Sequence, residues 1–340
     1  MEQIEKKLSG PVAALLAREG YPLVMPAPPD GCIVGKGEFG MEISGPGNVR
    51  LVDIVAARWD GDYHIKAVAV ECKATVWAVY DGLGQAVQYQ SVFDEVYLAT
   101  PVALEKDSVA RSTLVDLGLG HITADSSSGS PHISVAPAAK LASRFEPHRK
   151  NTHIRSRLAL GLAFLEVADR KNRLRYGFWS RGLNVWYAEE VVGHLQWNCA
   201  AWRSPESGAD GAYQVTAGLN VERTDDVKRI CGGVSVAHLD GALRYLPPEY
   251  LMEVIYNPNP PAANRQMIRA LKVEARAMTA GAALGHLRDC PSRYRPQLSF
   301  ATYWQAEELR DLTRAHYMER LTLARESLDP VMAALKDCYD

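Results

Sequence analysis

The chain has 340 residues, of which 47% are hydrophobic, and a formal net charge of −2 at pH 7. This length predicts about two domains. The near-neutral net charge excludes nucleic-acid binding through a globally basic surface, so any basic surface must be local. The six cysteines show neither CxxC nor zinc-finger spacing, and no signal peptide or membrane-spanning stretch is found. We therefore expect a cytoplasmic protein with reduced thiols and no membrane partner.

The first predicted element is an amphipathic helix over residues 2–19, because apolar residues recur there at helical spacing. Gly20 follows the last apolar position and predicts its end. Pro11 lies inside the pattern and removes one helical hydrogen bond. We therefore expect either a kink or two shorter helices.

A β-hairpin is predicted over residues 51–72. Two apolar, β-branched-rich runs flank the Asp-Gly pair at 60–61, which is a strong hairpin pattern. Both runs are nearly continuously apolar, which indicates burial on both faces. Folding about the turn brings Asp53 roughly opposite positions 69 to 71. Side chains alternate along a strand, so Glu71 and Lys73 share one face.

This hairpin predicts a cation site. Cys72 points to the other face, while Asp53 and Glu71 converge near the end of a buried sheet. Two carboxylates and a lysine are costly there unless they bind something. Hard oxygen ligands suit Mg²⁺ or Mn²⁺, and Lys73 is placed to orient or activate a water beside such an ion.

The elements after the hairpin alternate between helix and strand, which predicts an α/β fold. The expected order is a helix near residues 81–92, a strand at 95–101, a helix at 107–117 and a turn into a final core strand at 117–123, after which residues 135–141 close the domain. Together with the first helix they form a predicted domain over residues 1–143.

These residues resemble a known family. Asp53 followed by Glu71-x-Lys73 looks like the core motif of the PD-(D/E)XK nuclease superfamily. Gln85-x-x-x-Tyr89 looks like the additional helix motif of its RecB-type and lambda-exonuclease-type members. The bare acid pattern is common by chance, and its weight here comes from context, with the acids on strands and Gln and Tyr on the next helix. The resemblance covers about residues 1–140.

The resemblance implies a restriction-endonuclease-like mixed sheet flanked by helices, in the order αβββαβ. It implies that the Asp and the Glu bind Mg²⁺, that the Lys assists the attacking water, and that the Gln and Tyr steady the site. The pattern around Glu5 also looks like the family's first helix, where a Glu often adds to the metal shell. One departure is Val52, which stands where the family often has Pro.

Three further acidic residues are candidate metal ligands, and the alternative for each is an ordinary surface position. Glu5 is a candidate metal ligand on the first helix, although a solvated helix acid is the usual fate of Glu. Glu38 and Glu42 lie in the Pro- and Gly-rich residues 22–48 and are candidates for reaching the site from a loop.

A local basic excess follows at residues 144–175, which we assign to a helical connector. Arg149, Lys150, Arg155 and Arg157 are its candidate nucleic-acid contacts, because a cluster of cations beside a nuclease groove suits phosphate. The alternative is a solvated helix face, since such clusters are common in ordinary helices.

The remaining residues, 176–340, predict a C-terminal α+β domain that ends in long helices and selects the substrate or regulates the first domain. Strands are expected at 174–187 and 211–222, and helices at 188–198, 224–242, 264–288 and 302–325. Its aromatic residues are candidates for base stacking, although such residues are more often core.

The predicted function is Mg²⁺- or Mn²⁺-dependent hydrolysis of phosphodiester bonds. DNA is favoured over RNA because the resembled family mostly cuts DNA, and restriction, defence and repair all fit. A homodimer is one expected state, since nucleases that cut both strands often pair. Two alternatives stay open. One is an inactive nuclease fold that binds nucleic acid or protein. The other is a chance match, in which Asp53 caps a turn and Lys73 reaches solvent.

Overall fold

The computed structural model describes residues 2–25, 41–45, 48–62, 64–106, 108–124, 130–138, 154–169, 173–179, 184–192, 195–203, 213–222, 236–258, 268–305 and 313–336. These residues form a mixed α/β structure with two multi-stranded sheets. Contacts divide the chain into two compact units. The first comprises residues 1–166, 175–186 and 310–317, and the second comprises residues 167–174, 187–309 and 318–340.

The first unit contains most of the predicted elements. Its helices are α1 (Glu2–Arg18), α2 (Val79–Tyr89), α3 (Val109–Asp116) and α4 (Ile154–Val167). Its strands are β1 (Leu23–Met25), β2 (Met41–Gly45), β3 (Asn48–Val52), β4 (Ile54–Asp60), β5 (His64–Cys72), β6 (Glu95–Thr100), β7 (Gly120–Thr123) and β8 (His132–Val135). The main segment of this unit includes α4 up to Glu166, although α4 lies within the predicted connector at 144–175.

Six of these strands form one sheet in the order β1-β4-β5-β6-β7-β8. The predicted hairpin is confirmed, since β4 and β5 pair antiparallel and Gly61 takes the positive φ of 75° that the turn requires. By contrast, β5, β6 and β7 run parallel. Their carboxyl ends therefore meet at one edge of the sheet, where side chains from different strands can gather.

Helix α1 packs on one face of this sheet. Its apolar residues Val12 and Leu16 join a buried cluster with Val68, Val70 and Cys72 from β5. The even-numbered residues of β5 therefore face α1, which confirms the predicted direction of Cys72. The odd-numbered neighbours of Cys72 face the opposite side, where α2 contacts β5 and β6.

Pro11 does not divide α1, so the expectation of two shorter helices is wrong. The helix runs unbroken from Glu2 to Arg18. One lost hydrogen bond at a proline is compatible with the helix because Leu8 and Val12, on either side of it, are both buried. The helix ends at Arg18, and Gly20, two residues later, has a positive φ of 85°.

The remaining strands form a seven-stranded sheet in the order β14-β13-β15-β12-β11-β10-β9. They are β9 (Arg173–Trp179), β10 (Asn184–Val192), β11 (Leu195–Arg203), β12 (Tyr213–Glu222), β13 (Leu251–Pro258), β14 (Ile268–Glu274) and β15 (Tyr294–Gln305). Three helices accompany them in the described part of the chain: α5 (Val236–Arg244), α6 (Ala280–Arg288) and α7 (Arg314–Lys336). Strands β11 to β15 belong to the second unit.

The structure corrects the predicted helices of this region. Residues 188–192 lie in β10 and residues 195–198 lie in β11, which pairs antiparallel with β12 from Leu195 to Arg203. The predicted helix at 264–288 contains β14 before α6, because β14 pairs along β13. The predicted helix at 302–325 begins in β15. The final long helix is α7. Among the described residues, none of the helices has the length and hydropathy needed to cross a membrane.

Candidate active site

The hairpin places Asp53 beside Glu71. Ile54 lies opposite Val70 in the β4–β5 pairing, so the residue before Ile54 falls next to the residue after Val70. Asp53 occupies the bend between β3 and β4, which corrects its expected place on a strand. Its Oδ2 accepts a hydrogen bond of 2.7 Å from the backbone N–H of Cys72. This bond fixes the carboxylate of Asp53 at the end of β5, where Glu71 also lies.

Lys73 is the residue that directly follows β5, and it lies at the same end of the strand as the two acids. Its backbone N–H donates to the carbonyl of Ala99 at 2.8 Å, which anchors the chain against β6. Its Nζ donates to Glu71 Oε1 at 2.7 Å. Glu71 is only 3% exposed, and a buried carboxylate of this kind needs a charged or hydrogen-bonding partner. Lys73 supplies that charge.

Helix α2 contributes two more side chains, one turn apart on the same face. Gln85 Oε1 accepts from Lys73 Nζ at 3.1 Å. The hydroxyl of Tyr89, which is fully buried, donates to Glu71 Oε2 at 2.9 Å. All five residues singled out by the motif therefore lie at one end of the sheet, and four of them share a continuous chain of hydrogen bonds.

The absence of a side chain at Gly82 leaves space for the side chain of Lys73. This role of Gly82 could not be identified from the sequence. A Cβ at this position would lie 2.9 Å from Lys73 Cε and 2.9 Å from Leu98 Cδ2. Any side chain on this turn of α2 would therefore displace one of them. A glycine inside a helix costs about 1 kcal/mol relative to alanine, and that cost was the available indication of a close contact.

The donor set fits a hard divalent cation. Mg²⁺ is commonly held by one or two carboxylates, with waters and substrate phosphates completing its shell, and Asp53 and Glu71 supply two carboxylates. No group of three or more metal-binding side chains occurs in the part of the chain that the structure describes. A carboxylate oxygen that accepts one hydrogen bond keeps a further lone pair, so Glu71 can bind a cation while Tyr89 holds it in place.

The other candidate metal ligands cannot be placed at the side-chain level. Glu5 lies in α1 and Glu42 in β2, but their side chains fall outside the described positions. Glu38 lies wholly outside the described residues. The same holds for Arg149 and Lys150 of the basic segment.

Arg155 and Arg157, in α4, hold structural positions. Arg155 forms an ion pair with Asp94, with Nη1 3.0 Å from Oδ2, and also donates to the carbonyls of Val92 and Ile65. Its guanidinium therefore ties α4 to the sheet. Arg157 is 3% exposed, and this corrects the expectation of a phosphate contact there, because a buried guanidinium is not accessible to a nucleic acid.

A buried polar group lies at the same edge of the sheet. His121 Nε2 lies 2.8 Å from Thr100 Oγ1, and its Nδ1 contacts the hydroxyl of Ser134. Burial, helped by the charges of Arg111 and His132, lowers the pKa of His121 to about 4, so the ring is neutral at pH 7. The hydrogen bonds join β6, β7 and β8, and sequence reasoning did not predict them.

Comparison with known proteins gives no family assignment. Neither a protein-family model nor a curated protein matches the chain. The chemistry of the site must therefore be inferred from its own side chains, and these are two carboxylates, a lysine, an amide and a phenol at the end of a buried hairpin.

Proposed function

We propose that this chain is a metal-dependent nuclease of the PD-(D/E)XK type, which hydrolyses phosphodiester bonds, with DNA the favoured substrate. The observation that carries the proposal is the gathering of Asp53, Glu71 and Lys73 at the end of the hairpin. From α2, Gln85 accepts a hydrogen bond from Lys73, and Tyr89 donates one to Glu71. The hydrogen bonds from Lys73 to Gln85 and from Tyr89 to Glu71 also require α2 to pack beside β5, which the register of the hairpin alone does not provide.

The order of elements supports the same proposal. Around the sheet, α1, β1, β4, β5, α2 and β6 follow one another, with β2 and β3 paired separately. This sequence of elements agrees with the αβββαβ core that the resemblance implies. The acids lie at the carboxyl end of β5, and the glutamine and tyrosine lie on the helix that connects β5 to β6.

Asp53 and Glu71 would hold the Mg²⁺ or Mn²⁺ ion. When bound, such an ion lowers the pKa of a coordinated water and neutralises charge on the scissile phosphate. Without it, Lys73 neutralises Glu71, which keeps the buried acid charged and ready to bind.

The protein's own side chains then have separate roles. Lys73 orients the attacking water and offsets the negative charge that develops on the phosphate. Gln85 holds the ammonium of Lys73, and Tyr89 holds the carboxylate of Glu71, so both reacting groups keep their geometry. Positioning of this kind is worth large rate factors because small displacements of catalytic groups are costly.

The test is a cleavage assay on the purified 340-residue chain. Linear and circular double-stranded DNA, single-stranded DNA and RNA are each incubated with Mg²⁺, Mn²⁺ or EDTA. We expect cutting with either metal and none with EDTA, and a reduction of at least about 100-fold in the Asp53→Asn and Lys73→Met variants. Cutting of circular DNA would show endonuclease action.

Two matched controls are available on the same strands. Asp60 lies at the other end of β4, and Lys66 in β5 pairs with Glu95 at 2.6 Å, much as Lys73 pairs with its glutamate. The Asp60→Asn and Lys66→Met variants should therefore cut like the wild type. Folded protein that binds nucleic acid without cutting it would refute the nuclease and favour the inactive fold. Full activity in Asp53→Asn would refute the assigned site.

A further inference from the structure

Two aromatic side chains stand exposed directly after the candidate site. Trp77 is 84% exposed and Tyr80 is 45% exposed. Aromatic side chains bury large apolar areas in most folded proteins, and exposed apolar surface that is grouped in one place marks an interaction site more often than scattered residues do. Neither residue contributes to the hydrogen bonds of the site described above.

The backbone sets these two rings on one side of the chain. Successive turns bond Ala78 N–H to Thr75 O and Val79 N–H to Val76 O, each at 3.2 Å, and lead into α2. Residues three apart in such a run are neighbours on one face, so Trp77 and Tyr80 present a common surface. Trp77 follows Lys73 by four residues, which places their Cα atoms at most about 14 Å apart.

Two aliphatic side chains are also exposed in the segment after β6. Val102 and Val109 are 58% and 69% exposed, and they lie in the segment that follows β6 and begins α3. Because β5 and β6 are parallel, this segment leaves the sheet at the same edge as Lys73. Exposed aromatic and aliphatic side chains therefore occur in both segments that leave this edge of the sheet.

We infer that Trp77 and Tyr80 stack on unpaired bases of a nucleic-acid strand beside the scissile phosphate, so that the substrate is single-stranded or has frayed ends. This inference rests on the proposed nuclease function. Exposed aromatic rings bind bases through their flat faces, and those faces are covered by neighbours inside a duplex but open in a single strand. Because the rings continue directly from the chain segment of Lys73, a strand held at the site lies within their reach.

The experiment measures binding separately from cutting. Fluorescein-labelled oligothymidine of 20 nucleotides and a 20-base-pair blunt duplex are titrated with the 340-residue chain in EDTA, and anisotropy gives Kd. The variants are Trp77→Ala, Tyr80→Ala and the conservative Trp77→Phe. The control is Tyr245→Ala, because Tyr245 is an equally exposed aromatic residue, at 88%, in the second unit.

We expect Trp77→Ala and Tyr80→Ala each to weaken single-strand binding by roughly 5- to 150-fold, the range for loss of one stacked base. Duplex binding should change less than about twofold, Trp77→Phe should retain part of the affinity because it keeps a ring, and Tyr245→Ala should bind like the wild type. Thermal melting of each variant should match the wild type, since the substituted side chains are exposed.

Several results would overturn the inference: no measurable single-strand binding by the wild type, equal losses for single strand and duplex, unchanged affinity in both alanine variants, or the same loss in Tyr245→Ala. These outcomes are separable from a failure of the proposed function. Metal-dependent cutting with no effect at Trp77 would leave the nuclease standing and remove the stacking. Binding of single strands that depends on Trp77, without any cutting, would support the stacking and refute the nuclease.

Discussion

Replacing Gly82 by alanine tests the packing of the site from a position that makes no hydrogen bond to substrate. The new Cβ would lie 2.9 Å from Leu98 Cδ2 and 2.9 Å from Lys73 Cε. Leu98 is fully buried and has little room to move. Lys73 must therefore shift, although its Nζ is held at 2.7 Å from Glu71 and 3.1 Å from Gln85.

The expected size of the effect follows from two opposing contributions. Alanine in place of glycine stabilises a helix by about 1 kcal/mol, and overpacking a full interior costs about 1 to 3 kcal/mol. Gly82→Ala should therefore change the free energy of unfolding by between 0 and about −2 kcal/mol. Displacement of Lys73 by about 1 Å should lower the cleavage rate on the order of 100-fold.

Gly84→Ala is the matched control on the same helix. A Cβ at Gly84 meets no atom within 4 Å, so this variant should gain about 0.5 to 1 kcal/mol and cut like the wild type. Chemical denaturation gives the stabilities, and initial rates in Mg²⁺ give the activities. If Gly82→Ala were as stable and as active as Gly84→Ala, the close contact with Lys73 would be refuted.

Two further predictions concern buried polar groups. Tyr89→Phe removes a hydrogen bond to a buried carboxylate, so we expect a loss of about 1.5 to 3 kcal/mol in stability and 10- to 100-fold in cleavage rate. Tyr97→Phe, which removes a bond of 3.1 Å to a different glutamate, should lose stability alone, and equal rate losses in both variants would contradict the assignment. His121, whose folded pKa of about 4 lies below its ordinary value of 6.5, should make stability fall as the pH drops from about 6.5 towards 4, because the unfolded chain takes up the proton first. Between pH 7 and pH 4 the free energy of unfolding, measured by urea denaturation, should fall by about 3 kcal/mol. The variant His121→Gln should lack this pH dependence, and an identical dependence in the variant would show that another group causes it.

The hairpin and its acids could be predicted because their determinants are local. The Asp-Gly turn and the two β-branched runs set the register, and the register alone places Asp53 beside Glu71. The helical spacing of Gln85 and Tyr89 likewise puts both side chains on one face of α2. These relations need only neighbouring residues and the periods of strands and helices.

What could not be predicted depends on contacts far apart in the chain. Gly82 was assigned no role because its contact with Leu98 arises only when α2 packs on β6. The ion pair between Arg155 and Asp94 could not be predicted because the two residues are distant in sequence. Residues 188–198 were assigned to a helix although Trp197 and Cys199 follow the period of a strand, which becomes clear once β11 pairs with β12.

The most direct measurement of the central claim is calorimetric titration of the 340-residue chain with Mn²⁺. Wild-type protein should bind one or two ions, and Asp53→Asn should lose or strongly weaken this binding, because a neutral amide is a poorer ligand than a carboxylate. Asp60→Asn, at the other end of β4, should bind as the wild type does. Absence of binding by the wild type, or equal binding by Asp53→Asn and wild type, would contradict a metal site at Asp53 and Glu71.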